Sequence, residues 1–374
     1  MAINLLPMAN QSLLWQVTRN DAAKTDADRD ALLDSGELGF GKIFTDHMVD
    51  ICWSERGGWH RPRVQPYGPI AMDPAAAVLH YAQEVFEGLK AYRHADGSIW
   101  TFRPEKNAAR MQRSARRLAL PELPTEYFLE SIKQLVAVDG AWVPTAPETS
   151  LYLRPFMFAK EAFLGVRPAT KVNYYVIASP AGVYFSGGVA PVSIWLSTTY
   201  TRAGHGGMGA AKTGGNYAAS LVAQQEAYEN GCAQVLFLDA QEGKYLEELG
   251  GMNVVLVTND KRIITPDSDS ILEGITLDSV LRLARDRGYT VEQRPVTIDE
   301  WREGVDSGEI IEAFACGTAA VITPISEIKS ANFGIWMPEI APEDRVALSL
   351  RDELTGIQYG RVADRHGWLT RLDG

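Results

Sequence analysis

The sequence predicts a mixed fold of the α+β / α/β class in two domains, and three observations predict it. At 374 residues the chain exceeds what one ordinary hydrophobic core covers. Short apolar runs of β character alternate along it with amphipathic stretches at helical spacing. Residues 181–191 are small and glycine-rich between two apolar runs, which is the composition of a linker. The expected division is a small N-terminal α/β domain over 1–180, a linker over 181–191, and a large C-terminal domain over 192–374.

The elements follow in order. Residues 1–30 read as an extended arm with a short polar helix over 21–33. Residues 39–53 and 80–86 read as strands, and 98–102 as the second arm of a hairpin after the Ala95-Asp96-Gly97 turn. Residues 107–118 form a helix with an arginine-rich face. In 127–140 Phe128, Ile132, Leu135 and Val136 recur at helical spacing. Strands follow over 150–156, 172–179 and 192–197. Asn216 is placed to cap a helix ending near Asn230-Gly231. Short strands over 234–238, 245–249, 253–258 and 262–265, a helix over 277–287 and a strand over 310–314 complete the pattern.

Composition bounds the function. A net charge of −11 argues against a general nucleic-acid binder, which needs a basic face. The uncharged run 172–201 is long enough to span a bilayer, but Pro180, Gly182, Gly187, Gly188 and Pro191 break it, so no membrane span is expected. The first residues lack the basic start and apolar run of a signal peptide. Cys52, Cys232 and Cys316 are far apart, without a disulfide or zinc pattern, and read as free thiols in a reducing cytoplasm. The six histidines lack metal-ligand spacing, so no metal is expected.

The most informative segment surrounds Lys212, with Gly204, Gly206, Gly207 and Gly209 before it and Gly214 and Gly215 after it. Small residues let backbone approach a flat ligand. A desolvated lysine amine becomes a nucleophile toward carbonyl groups, which points to Schiff-base chemistry with pyridoxal phosphate. Rival readings are a dinucleotide fingerprint, a nucleotide-binding phosphate loop and an exposed lysine in a flexible loop. The spacing Gly204-x-Gly206-x-x-Gly209 matches the first, but no helix opens inside it; Ala211 stands where the second requires glycine. Further on, Glu248 is a candidate to keep a pyridine nitrogen protonated, and its neighbour Glu247 reads as a solvated edge. Tyr217 is a candidate donor to a ring oxygen. Gly274-Ile275-Thr276 opens a helix and offers N–H groups to a phosphate, as do Thr318 after Gly317 and the guanidinium of Arg110.

Ordered motifs then resemble one family. They are Phe86-Glu87-Gly88-Leu89-Lys90-Ala91-Tyr92, Asn107-Ala108-Ala109-Arg110-Met111, Tyr152-Leu153-Arg154-Pro155, the Lys212 loop with Gly214-Gly215-Asn216-Tyr217, the run from Glu248 to Asn253, Gly274-Ile275-Thr276 and Gly317-Thr318-Ala319. In these the chain resembles the branched-chain amino-acid aminotransferases of pyridoxal-phosphate fold-type IV, from about residue 39 to the end. The resemblance implies a Schiff base on Lys212 and transamination of L-leucine, L-isoleucine and L-valine with 2-oxoglutarate. It assigns Glu248 to the pyridine nitrogen, Tyr217 to the ring oxygen, and Arg110, Gly274, Ile275, Thr276 and Thr318 to the phosphate. Phe86 and Tyr152 would line the side-chain pocket and Arg154 receive glutamate's distal carboxylate. Tyr81 with the Thr318 and Ala319 backbone would hold the α-carboxylate. Leu164 and Val166 would close a neighbouring subunit's pocket, which implies a homodimer. Gly251, where relatives often carry threonine, implies a roomier pocket, and Leu277, where a basic residue is common, more reliance on backbone for phosphate. The cysteine pair that some animal relatives carry near Ala320 and Thr323 is missing, so no redox switch of that kind is expected. The nearest alternatives are a D-amino-acid aminotransferase or a deoxychorismate lyase of the same fold, both usually shorter. A catalytically silent binding protein is the alternative of another class.

Overall fold

The structure is a computed structural model and describes residues 14–182 and 189–374. Residues 1–13 of the expected arm and 183–188 of the expected linker lie outside the described residues.

The described residues build two nine-stranded sheets. The first runs in the order Gln16–Val17, Gly58–Pro66, His47–Ser54, Lys171–Ala181, Ser150–Ala159, Leu89–Arg93, Ile99–Phe102 and Leu369–Arg371, with Glu84–Phe86 paired to Ser150–Ala159. Its pairings are antiparallel except that of Gln16–Val17. The helices Pro104–Arg117 and Thr125–Asp139 cover it. Phe128, Ile132, Leu135 and Val136 share one face of the second helix and are buried against Ile51, Leu151 and Val176 of the sheet. The last strand, Leu369–Arg371, comes from the end of the chain and closes the edge of this first sheet against Ile99–Phe102.

The second sheet runs Leu246–Leu249, Gln234–Leu238, Val192–Leu196, Val321–Lys329, Ile310–Gly317, Asn253–Thr258, Arg262–Pro266 and Thr290–Arg294, with Gly334–Trp336 on Val321–Lys329. Its pairings are mixed, parallel and antiparallel. Strand Asn253–Thr258 is buried along its whole length because the sheet is covered on both faces. Side chains alternate across a strand, so Val255 and Val257 enter one core and Val254 and Leu256 the other. The first core holds the helices Ile275–Asp286 and Val346–Gln358; the second holds Ile298–Ser307 through Ile298 and Trp301.

Several expectations are corrected. Residues 80–86 are not one strand: helix Ala77–Tyr81 ends at Ala82 in the left-handed region (φ 47°), and only Glu84–Phe86 is extended. Asn216 is not a cap: helix Gly214–Glu229 starts two residues earlier, after Thr213, and the Asn216 amide donates back to the Met208 and Ala211 carbonyls at 2.8 Å each. The arm's helix is shorter, Asp26–Leu33, capped by Thr25. Strand Gly58–Pro66 and helix Val346–Gln358 carry no expectation in the sequence reading. The first interleaves Trp59, His60, Arg61 and Arg63 with its apolar positions, which blurs the two-residue period.

Candidate active site

The Lys212 loop is pinned by groups of the first sheet and its helices. The Phe86 N–H donates to the Lys212 carbonyl at 3.0 Å, and the Lys212 N–H donates to Ser114 Oγ at 2.9 Å. One residue on, the Glu84 carboxylate accepts from Thr213 Oγ1 at 3.1 Å and from the Gly214 N–H. An acid at the start of helix Gly214–Glu229 meets the positive end of its dipole. With its backbone held on both sides, the Lys212 side chain has one way out, into a cavity between the two sheets.

That cavity encloses about 190 Å³. It collects most of the residues singled out in the sequence: Phe86, Arg110, Tyr152, Arg154, Lys212, Tyr217, Glu248, Gly274, Ile275, Thr276, Thr318 and Ala319 all line it. Tyr81, Leu164 and Val166 do not. They lie together on the surface, where the Tyr81 hydroxyl donates to the Leu164 carbonyl and Val166 is 86% exposed.

The Lys212 amine donates to the Tyr217 hydroxyl at 2.7 Å and lies 4.8 Å from the centre of the Phe86 ring. Burial, helped by the nearby Arg110 charge, brings its pKa down to about 8. The amine is therefore partnered, by a neutral hydroxyl rather than a carboxylate. Burial pushes the Tyr217 phenol up to about 12, so it stays protonated at neutral pH.

Glu248 stands on the opposite wall. Burial pushes its carboxyl up to about 7, against the pull of Arg202, whose Nη2 sits 2.6 Å from Oε1. The Leu272 N–H also donates to Oε1, at 3.0 Å, while Oε2 has only a long contact of 3.5 Å from Asn253 Nδ2. One oxygen is thus anchored twice and the other carries only that long contact. Glu247 is not a solvated edge. It is buried, accepts from Ser270 Oγ, and burial raises its pKa. The two adjacent acids point to opposite faces of strand Leu246–Leu249, both covered.

Arg110 is buried and clamped by Glu87, with Nε and Nη2 each donating to a carboxylate oxygen at 2.8 Å. Its Nη1 donates to the Glu273 carbonyl at 3.0 Å, beside the first turn of helix Ile275–Asp286. That turn brings free N–H groups and the Thr276 hydroxyl to the cavity wall, while Leu277 is buried in the core behind. Gly88 is required by close approach: a Cβ there would sit 2.0 Å from the Tyr152 hydroxyl. A Cβ at Gly251 would meet the Tyr217 ring at 3.6 Å, an ordinary contact, so that wall holds space for a larger residue. Arg154 lies over the Phe86 and Tyr152 rings at 4.8 and 5.3 Å and donates to Tyr152 Oη at 3.0 Å, but its Nε is buried without a partner.

Glu84, Glu87, Ser114 and Arg202 escape the sequence reading. The signal for Glu87 was an acid inside an apolar run, Val85 to Ala91, where only a buried partner makes it tolerable. Arg202 gives no local signal, because Glu248 and Ser270 lie far along the chain. Among the described residues no group of three His, Cys, Asp or Glu is arranged to hold a metal, and no helix is long and apolar enough to cross a membrane.

Two mixed sheets with this lysine and acid lining the cavity at their junction form the fold-type IV architecture. Residues 84–328 match the family Amino-transferase class IV, and the chain belongs to that family. It is 58% identical over 370 residues to a branched-chain-amino-acid aminotransferase of Mycobacterium tuberculosis, covering 98% of this chain and all of the relative. It is 47% identical over 345 residues to branched-chain-amino-acid aminotransferase 2 of Bacillus subtilis, covering 91% and 93%. Among solved structures, the T.th. branched-chain amino acid aminotransferase with pyridoxamine 5'-phosphate superposes with a TM-score of 0.70 at 30% identity, over 86% of this chain and 98% of that one. The Escherichia coli branched-chain amino acid aminotransferase gives 0.69 at 25% identity, over 87% and 99%. Within the family the chain groups with the branched-chain-amino-acid aminotransferases and is an enzyme of amino-group transfer.

The Lys212 environment predicts a titration. In ligand-free protein, the rate of carbonyl-reagent attachment at Lys212, corrected by the Lys212→Ala background, should rise with pH and reach half its limit near 8. A half-point near the ordinary lysine value of about 10.4 would contradict the desolvated site.

Proposed function

We propose that the enzyme transfers the amino group of L-leucine, L-isoleucine or L-valine to 2-oxoglutarate, giving branched-chain 2-oxo acids and L-glutamate, with pyridoxal 5'-phosphate held through Lys212. The donor set fits that cofactor: an amine on one wall, an acid with one free oxygen opposite, and a helix start beside a buried arginine. Bound there, pyridoxal phosphate supplies an aldehyde for amine exchange and a ring that draws electron density from the substrate Cα. The chain's own residues do the rest. Lys212, once its amine is free, takes the proton from Cα and returns it on the far side of the transfer. Tyr217 orients that amine through its hydroxyl. Glu248, with Oε1 anchored by Arg202, would keep a proton at the pyridine nitrogen. Arg110, the N–H groups of Gly274, Ile275 and Thr276, and the Thr318 hydroxyl hold the phosphate, with Glu87 fixing the Arg110 plane.

The single observation that carries the substrate reading is Arg154. A half-buried guanidinium whose Nε is buried and unpartnered stands on an apolar shelf of Phe86 and Tyr152. An aliphatic side chain packs on the rings, and a glutamate side chain brings the carboxylate that the guanidinium lacks. One pocket therefore serves both halves of a ping-pong exchange. Phe40 and the roomy wall at Gly251 complete its apolar side. The α-carboxylate goes to the Thr318 and Ala319 N–H groups.

Tyr81, Leu164 and Val166 support a homodimer. They are apolar, gathered in one place and exposed, and they serve the site if they complete a neighbouring subunit's cavity. Three free thiols fit a reducing compartment, the cytoplasm.

A panel of L- and D-amino acids tests the reaction, with L-leucine, L-isoleucine and L-valine as the expected donors; turnover confined to D-amino acids contradicts it. Arg154→Met should lower kcat/KM for glutamate about 100-fold while changing that for leucine less than about threefold. Equal losses on both would remove the dual-pocket reading. Sedimentation should show a dimer, and a fully active monomer would rule out the shared pocket.

A further inference from the structure

We propose that Lys90 is a positioning residue for the substrate α-carboxylate, holding the turn at residues 317–320 from behind so that the Thr318 and Ala319 N–H groups keep one direction. The inference rests on the carboxylate role given above to those two groups.

The turn has little else to hold it. Strands Ile310–Gly317 and Val321–Lys329 pair up to Gly317 and Val321, and Val321 leaves the turn at φ 64°, in the left-handed region. Beyond that pairing, Thr318, Ala319 and Ala320 make no backbone hydrogen bond among the described residues. Packing braces only Ala320, which is buried, while Thr318 and Ala319 are half-buried. Behind the turn lies a second cavity of about 160 Å³, lined by Lys90, Glu148, Ala319, Ala320, Arg351 and Gln358 among others. The cofactor cavity lies in front, and Ala319 lines both. Ala319, at the middle of the turn with open space on each side, is the residue that needs a tether.

Lys90 supplies it. Its amine crosses the rear cavity and donates to the Ala319 carbonyl at 2.9 Å, joining the first sheet to the second over 229 positions of chain. It makes no ion pair within 4.0 Å among the described residues, so the carbonyl is its specific partner. The base of the side chain is rigid. Lys90 sits in strand Leu89–Arg93 opposite Tyr152, and Thr101 Oγ1 donates to its carbonyl at 2.9 Å. Tyr152 lines the substrate pocket, so the same strand pair that shapes the side-chain shelf also reaches through to fix the carboxylate turn. A methionine of similar length would fill the same path without a donor. The hydrogen bond to the Ala319 carbonyl is what offsets the desolvation cost of placing a lysine amine there.

The test compares two ligands of the cofactor-loaded enzyme that differ only in the carboxylate: 4-methylpentanoate and 4-methylpentan-1-ol. Binding is read from the visible absorbance of the bound cofactor. Lys90→Met should weaken the acid about tenfold and leave the alcohol unchanged, and Lys90→Arg should recover part of the loss. In leucine turnover the same variant should raise KM about tenfold with a much smaller change in kcat. If Lys90→Met does not fold, Lys90→Gln carries the same expectation. Unchanged binding of the acid, or equal loss of acid and alcohol, would overturn the proposal. A wild-type enzyme that turns over leucine yet binds the two ligands alike would instead remove the carboxylate role of the turn, and the inference with it.

Discussion

Everything in the cavity depends on where one backbone is held. Lys212 belongs to the second half of the chain, but its carbonyl and N–H are both bonded to the first, at Phe86 and Ser114. Glu84 adds a third tie one residue later, at the start of helix Gly214–Glu229. A glycine-rich loop on its own would sample many directions, because small residues restrain the backbone least. Bonded through both its carbonyl and its N–H, the backbone at Lys212 holds one orientation, which fixes the direction of its side chain. The direction of the amine is therefore a property of the junction between the sheets.

The same logic governs the charges. Each ionised group facing the cavity has a partner behind it that fixes its plane and leaves a face free: Glu87 behind Arg110, Arg202 behind Glu248, Tyr217 beside Lys212. A buried charge without such a partner would neutralise or distort the site, and one satisfied on every side would have nothing left for a ligand. Arg154 is the exception, with Nε buried and unpartnered, and it stands where a substrate carboxylate supplies the missing acceptor. The outcome is a cavity whose free donors and acceptors converge, the arrangement that makes electrostatic stabilisation effective.

Local chemistry was the legible part of the sequence. Lys212, Glu248, Gly274-Ile275-Thr276 and Thr318 stand out because each sits in glycine-rich or helix-opening surroundings, and all line one cavity. Strands such as Gln234–Leu238 and Asn253–Thr258 were legible too, as apolar runs bounded by turns. What escaped was long-range. Glu247 reads as exposed from its neighbours, but both faces of its strand are covered, so alternate acids are both buried. Residues 80–86 carry an apolar pattern compatible with either element, and the left-handed Ala82 that divides them has no signature in its own identity. Arg202 and Lys90 act through partners distant in sequence, and the return of Leu369–Arg371 to the first sheet is invisible to any window of local pattern.

The chemistry comes down to a choice between amines. Two half-buried lysines, Lys212 and Lys90, have pKa values brought down to about 8 by desolvation of their amines, and they flank the same turn from opposite cavities. Low pKa alone does not distinguish them; direction does. The protein is loaded with pyridoxal phosphate, reduced with borohydride to fix any covalent link, digested, and mapped by mass spectrometry. The phosphopyridoxyl adduct is expected on Lys212, with Lys90 unmodified. An adduct on Lys90, or on neither, would contradict the assignment.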